Sequence, residues 1–325
     1  MVDAVVIGAG PVGLACALEI KRRGLSALAV DKGALVNSLV GYPTNMEFFS
    51  TPELLEIGGY PLTCHGYKPL REEALDYYRR VAEAEAIPLR LYERVRSVEG
   101  EAGAFTVVTD KGRIEARAVV VATGFFDTPN RLGVPGEDLA HVFHYYKEPY
   151  AHAGQDVAVV GAKNSAAKAA LALRRAGARV TLVVRGEEVS PSVKYWIRPD
   201  LVNRIAEGAI AARFGTTVTA IRPGELDVQT PHGPATLAAD AVYLLTGYLP
   251  DYALLAACGV PLDAEDPARP PAFNDRTFET ARPGVFVAGT VCGGCATSRW
   301  FIENGRFHAA RIAEALAARF APPSP

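Results

Sequence analysis

Apolar and polar positions along this chain fall into blocks that read as strand, tight turn, helix and strand, and the block occurs twice. The first has a strand over Val5 to Ile7, a glycine turn from Gly8 to Gly13, an alanine-rich helix to about Arg23, and a strand from Leu28 to Asp31. The second begins at Asp156, with a strand from Val157 to Val160, a turn at Gly161, a helix to about Ala176 and a strand from Val180 to Val184. Between them the pattern predicts loops with short elements from Val36 to Lys68, then a helix from Arg71 to Ala86. Short strands over Leu89 to Val98, Phe105 to Thr109 and Arg113 to Ala116, with a turn at Asp110 to Gly112, suggest an antiparallel side layer. The apolar runs Ala118 to Ala122 and Ala241 to Leu245 each meet a Thr-Gly pair, Thr123-Gly124 and Thr246-Gly247, and mark an outward and a return crossing between domains. The last strand, Val285 to Ala288, stops at Gly289; a final helix is predicted from Ser298 to Arg319, and Pro322 to Pro325 reads as a short frayed tail.

Two βαβ blocks of this kind predict an α/β fold of two Rossmann-like, three-layer ββα dinucleotide-binding domains, one inserted into the other. The expected boundaries are 1–122 and 247–325 for the first dinucleotide-binding domain, in two parts, and 123–246 for the second. A length of 325 residues with 49% apolar content suits two buried cores. The balance of 34 basic against 36 acidic residues gives no field that would favour nucleic acid or an anionic membrane, which leaves a small molecule or a small protein as partner. No segment approaches the roughly 20 apolar residues of a membrane span, and no basic leader precedes the first strand, so the expected location is cytoplasmic. Five scattered cysteines, an odd number, do not form a secreted disulfide framework.

In the first loop Gly8 permits the tight turn, Gly10 lets backbone approach a pyrophosphate, and Gly13 lets the helix sit close to the strand. The helix that follows Pro11 supplies free N–H groups and a positive dipole end. Asp31, 18 residues beyond Gly13 at a strand end, is placed to accept hydrogen bonds from ribose hydroxyls. The second loop, Gly161-Ala162-Lys163-Asn164-Ser165-Ala166, has a lysine where the second glycine would stand. Lys163 either contacts phosphate or is a solvated loop residue. Arg185 ends the following strand, where an acid would favour NAD and an arginine accommodates the 2′-phosphate of NADP, with Ser190 and Lys194 close behind in sequence. Two different dinucleotide sites suit FAD at the first loop and a nicotinamide cofactor at the second, with hydride passing from one to the other.

The two glycine loops, Ala122-Thr123-Gly124, Thr280 and Gly284 to Gly289 resemble the low-molecular-weight thioredoxin reductase superfamily over nearly the whole chain. Within it, Tyr42-Pro43-Thr44, Phe48-Phe49-Ser50, Val142-Phe143-His144-Tyr145, Lys163 to Ala166, Gly247-Tyr248 with Pro250-Asp251-Tyr252, and Phe301 to Gly305 are similar to the YpdA-type bacillithiol-disulfide reductases. The resemblance implies FAD, NADPH, a homodimer and a low-molecular-weight thiol disulfide as substrate. It also implies an FAD site that takes in Val12, Lys32, Val95, Gly289, Thr290 and Ser298. Thr290 stands where relatives often carry an aspartate. Tyr42, Phe48 and Phe49 are candidates to cover the flavin ring, with core packing as the alternative.

The cysteines depart from that resemblance. The stretch His141 to Glu148, where thioredoxin reductases carry a C-x-x-C pair, has no cysteine, and Val12 replaces the thiol that YpdA-type enzymes typically hold in the first loop. Cys292 and Cys295, just before the expected final helix, form a C-x-x-C. At a helix N-terminus such a pair would have a depressed thiolate pKa and exchange disulfides; packing beside the cofactor and metal binding are the alternatives. His144 is a candidate proton donor or a structural hydrogen-bonding residue. Cys16, Cys64 and Cys258 read as packing residues. A ferredoxin or flavodoxin NADP reductase of the same architecture, which needs no cysteine, and an FAD- and NADPH-binding redox sensor with little turnover are the competing functions.

Overall fold

Four short apolar strands run parallel, and their registers bring their carboxyl ends to one level. Ile7 pairs with both Val30 and Val121, and Val121 pairs with Val287. Strand Val2–Ile7 is flanked by Ala27–Val30 and Arg113–Val121, and the sheet is completed by Leu89–Arg90 on one side and by Ala104–Thr109 and Val95–Glu101 on the other. The computed structural model describes residues 1–44 and 46–321, so the expected tail Pro322 to Pro325 lies outside the described residues. The two segments expected as separate strands, Arg113 to Ala116 and Ala118 to Ala122, are one strand, Arg113–Val121. Its first half pairs antiparallel with Ala104–Thr109, and its second half pairs parallel with Val2–Ile7 and Val285–Val287. The antiparallel layer is therefore hydrogen-bonded into the parallel sheet through a single long strand.

Helix Pro11–Arg22 begins with proline at its first position, where the missing N–H costs nothing, and ends with Lys21 and Arg22 against its negative pole. Its small residues, Gly13, Ala15, Cys16 and Ala17, are buried and let Leu14, Leu18 and Ile20 fill the space around them. It packs against the last helix, His308–Phe320. The single final helix expected from Ser298 to Arg319 is two, Ile302–Gly305 and His308–Phe320. The loop between Val36 and Lys68 carries two one-turn helices, Asn37–Val40 and Pro52–Leu55.

The second block builds its own parallel sheet in the order Ala211–Arg213, Arg179–Val183, Asp156–Val160, Ala241–Leu244, Val142–Phe143. One face, through Val157, Val159, Val180 and Leu182, packs on helix Asn164–Arg175 by way of Ala166, Ala170 and Leu173. The other, through Ala158, Val160, Val242 and Leu244, packs on Val218, Leu226 and Val228. Those last residues belong to a three-stranded antiparallel sheet, Thr217–Arg222, Gly224–Thr230 and Gly233–Ala239. The segment 198–239, for which the hydrophobic pattern predicts nothing, thus supplies the third layer of a three-layer ββα unit.

By packing, the chain divides into two units. One holds 1–41 and, among the described residues, 46–128 and 248–321; the other holds 42–44 and 129–247. Among the described residues no helix is long and apolar enough to cross a membrane.

Candidate functional site

In the first unit the loops after the four parallel strands meet at their carboxyl ends, where open α/β sheets form their binding crevice. The spacing of glycines in the first loop is set by contact. Gly8 has φ +107°, and a Cβ on it would lie 2.6 Å from the Ala122 carbonyl oxygen; a Cβ on Gly13 would lie 1.9 Å from the Gly8 oxygen. Gly10 is different. A Cβ there would meet nothing within 4 Å, and its φ of −74° suits any residue, so the protein does not need glycine at this position for its own packing. The open space lies at the start of helix Pro11–Arg22, whose N-cap has no side-chain hydrogen bond, and it fits a phosphate group held on backbone.

Asp31 closes the other side of the loop. One carboxylate oxygen accepts the Ala9 N–H at 2.8 Å and the other the Gly33 N–H at 2.8 Å. Burial raises its pKa, against the lowering effect of those two bonds. Each oxygen keeps lone-pair capacity for a hydroxyl. Lys32 pairs with Asp127 at 3.0 Å. A Cβ at Gly124 would lie 3.1 Å from Thr290 Oγ1, and one at Gly289 would lie 3.1 Å from Val12 Cβ. The structure therefore brings Gly8, Val12, Gly13, Ala122, Gly124, Gly289 and Thr290 together. Val95 is buried at the start of its strand, while Phe49 and Ser298 are exposed. Tyr42 falls in the other unit.

The second loop repeats this construction position by position. Gly161 has φ +143°, and a Cβ on it would lie 2.5 Å from the Leu245 oxygen, as Gly8 stands to Ala122. Ala166, five residues on, takes the place of Gly13, with its Cβ 3.1 Å from where a Gly161 Cβ would be. Lys163 takes the place of Gly10 at the helix N-cap, exposed and with extended backbone. Asn164 Oδ1 accepts the Lys194 N–H at 2.9 Å, and the Ala162 carbonyl accepts the Ser190 N–H at 3.3 Å, which ties the segment after Arg185 to the loop. Arg185 is exposed and, among the described residues, makes no ion pair, whereas Glu188 pairs with Arg198 at 3.0 Å.

The cysteine pair does not take the form expected of it. Cys292 lies on the 3₁₀ turn Gly289–Gly293, not at the start of a helix, and the next helix begins only at Ile302. Its side chain is 0% exposed and its Sγ lies 3.9 Å from His308 Nδ1. Burial pushes its thiol pKa up rather than down. Cys295 is exposed and hydrogen-bonds the Tyr252 hydroxyl at 3.1 Å, so the two thiols face different surroundings. Both are free thiols. The physical basis for a low-pKa dithiol at a helix N-terminus is thereby removed.

His144 lies 3.6 Å through Nε2 from Glu137 Oε1. Glu137 is buried and accepts the Leu132 and Gly133 N–H groups at 3.0 and 2.7 Å. Two buried residues carry no motif in the sequence: His308, against Gly289 and Cys292, and Glu137, against His144. For His308 a signal exists: it shares the apolar helix face of Ile312 and Leu316 at four-residue spacing.

The chain matches the family described as pyridine nucleotide-disulphide oxidoreductase over residues 5–289. It is 42% identical over 318 residues to the bacilliredoxin reductase Bdr of Bacillus subtilis (strain 168), covering 97% of this chain and 98% of that one. Among solved structures it is similar to the bacillithiol disulfide reductase Bdr (YpdA) from Bacillus cereus, with 39% identity, a TM-score of 0.94 and coverage of 98% of this chain and 99% of that one. The corresponding Staphylococcus aureus structure gives 37% identity and a TM-score of 0.95 over 98% of this chain and 99% of that one. With full-length likeness in sequence and fold, the chain belongs to the pyridine nucleotide-disulphide oxidoreductase family and is an oxidoreductase that works with FAD and a pyridine nucleotide.

Proposed function

We propose that this protein is an NADPH-dependent flavoprotein reductase that delivers electrons to a low-molecular-weight disulfide, bacillithiol disulfide before others. The observation that carries the reading is the full-length likeness to proteins named bacilliredoxin reductase and bacillithiol disulfide reductase, and its flavin part is supported by the first loop, where Gly8 and Gly13 are glycine because of the chain's own packing and Gly10 is glycine without any packing need. FAD bound there would supply two-electron chemistry between a reduced nicotinamide and a disulfide. The backbone N–H groups of Gly10, Val12 and Gly13 would receive the pyrophosphate, Pro11 would start the helix without an N–H of its own, and Asp31 would orient the ribose. Ala122, Thr123, Gly124, Gly289 and Thr290 would form the far wall, with Lys32, Phe49, Val95 and Ser298 around it.

In the second unit Lys163, Asn164, Ser165 and Ala166 receive the pyrophosphate of NADPH beside Gly161. Arg185, with Ser190 and Lys194, takes the 2′-phosphate. The exposed, unpaired guanidinium of Arg185 supports NADPH over NADH. Cys292 is a packing residue in this reading, so the substrate disulfide is reduced without a protein dithiol in relay. His144, engaged with buried Glu137, holds its own segment in shape. A homodimer in the cytoplasm completes the assignment; five free thiols and exposed Phe301 and Phe307 support it.

The burial of Cys292 also favours a second reading, reduction of ferredoxin or flavodoxin, which needs no relay thiol. The test is steady-state NADPH consumption with bacillithiol disulfide, cystine, ferredoxin or flavodoxin as sole acceptor. Bacillithiol disulfide is expected to give the highest kcat/KM; a faster turnover with ferredoxin would transfer the assignment to the second reading.

A further inference from the structure

The second nucleotide loop lacks the glycine that would let backbone close on a pyrophosphate, and the chain places two large aromatic side chains in water close to it in structure. After Arg185 the segment is pinned into the core by Val189, Val193 and Ile197, all buried. It is pinned to the loop by the Lys194 N–H on Asn164 Oδ1 at 2.9 Å and to the following helix by the Arg198–Glu188 pair at 3.0 Å. Between the anchors Val193 and Ile197, Tyr195 is 82% exposed and Trp196 44% exposed. The two rings meet edge to face at 90° with centroids 4.8 Å apart, and Lys194 Nζ lies 5.7 Å from the centre of the Trp196 ring.

An edge-to-face pair fixed on a tethered loop forms a corner: one flat aromatic face with a second ring standing beside it. A flat heteroaromatic ring stacks in such a corner without needing hydrogen bonds to its edge. Lys194 stands beside the Trp196 ring, and its backbone is tied to Asn164 at the start of the loop helix, so the corner suits a ligand that joins a flat ring to phosphates. We propose that Tyr195 and Trp196 form the platform for the adenine ring of the pyridine nucleotide and supply affinity that Lys163 costs the glycine loop. This rests on the reading of the second loop as the NADPH site.

The test uses the FAD-loaded enzyme, with anaerobic flavin reduction followed by stopped flow. NADPH is compared with reduced nicotinamide mononucleotide, which carries the reacting ring but no adenylate. Trp196→Ala and Tyr195→Ala are expected to raise the Kd for NADPH about ten-fold each without lowering the limiting rate of flavin reduction. The weakening is confined to the donor that carries adenine, and Trp196→Phe restores most of the affinity. In a Trp300→Phe background, where Trp196 is the remaining tryptophan, NADP⁺ quenches its emission. Unchanged NADPH affinity in both alanine variants, or equal weakening of both donors, overturns the platform. Arg185→Ala in the same series separates this from the underlying reading: loss of NADPH affinity there alone leaves the site standing without the platform, and no loss in any variant removes both.

Discussion

His308 Nδ1 accepts the backbone N–H of Gly289 at 3.1 Å, where the last parallel strand turns toward Thr290. The bond requires an unprotonated Nδ1. The ring is 2% exposed, stacks on Phe278 at 3.9 Å and meets the edge of Trp300 at 4.5 Å. Burial first, and then the charge of Arg311, push its pKa down from 6.5 to about 4. The folded state therefore binds this proton less readily than the unfolded chain. Its contribution to stability is complete above pH 6.5 and is lost as the pH falls toward 4, by about 3 kcal/mol at most. Denaturant midpoints taken from pH 7 to 4.5 should fall more steeply for the native protein than for His308→Asn, which keeps an acceptor but cannot titrate. Parallel curves would contradict this.

The glycine loop separates folding from binding. Gly10→Ala meets nothing within 4 Å, so it should fold with stability within about 0.5 kcal/mol of the native protein and yet purify with little flavin. Gly13→Ala, whose Cβ would stand 1.9 Å from the Gly8 oxygen, should lose flavin and about 1–3 kcal/mol of stability together. Flavin absorbance at full stoichiometry in Gly10→Ala would show that no phosphate approaches there.

Arg185→Ala should weaken NADPH about ten- to one-hundred-fold, the worth of a charge-assisted phosphate contact, and leave NADH unchanged. Measuring KM for both donors checks it. A matched loss with both would place the guanidinium away from the 2′-phosphate.

Cys292→Ala, Cys295→Ala and the double variant should retain disulfide reduction, with Cys292→Ala losing about 1 kcal/mol of stability for its buried sulfur. Thiol titration before and after anaerobic reduction by excess NADPH should give the same count. Two new thiols, or a double variant that still reduces flavin but not disulfide, would restore the pair to the electron path.

The repeated block was readable in the sequence because close contact leaves no choice at its glycines: Gly8 and Gly161 both run into a carbonyl from the crossing strand, at Ala122 and Leu245. Asp31 and Arg185 were readable because each follows a short apolar strand, Ala27–Val30 and Arg179–Val183. The break in the final helix was not, since it is imposed from outside. A Cβ at Gly305 would stand 3.1 Å from Gly289 Cα, and the Arg306 guanidinium bonds the carbonyls of Glu53 and Glu56. The three-stranded sheet at 217–239 has weak alternation, and its signal lies instead in Gly224 and Gly233, both with positive φ, which open its second and third strands. The burial of Cys292 was not legible: the spacing of Cys292 and Cys295 is that of a redox pair, but the backbone between them points one thiol into the core and leaves the other exposed.

The most direct test of electron flow is a two-step anaerobic experiment on the FAD-loaded protein. NADPH in single-turnover amount should bleach the flavin band near its visible maximum, and bacillithiol disulfide mixed in afterwards should restore it quickly, with two thiols formed per flavin. A reduced flavin that ignores the disulfide and is reoxidised by ferredoxin or flavodoxin would contradict the account.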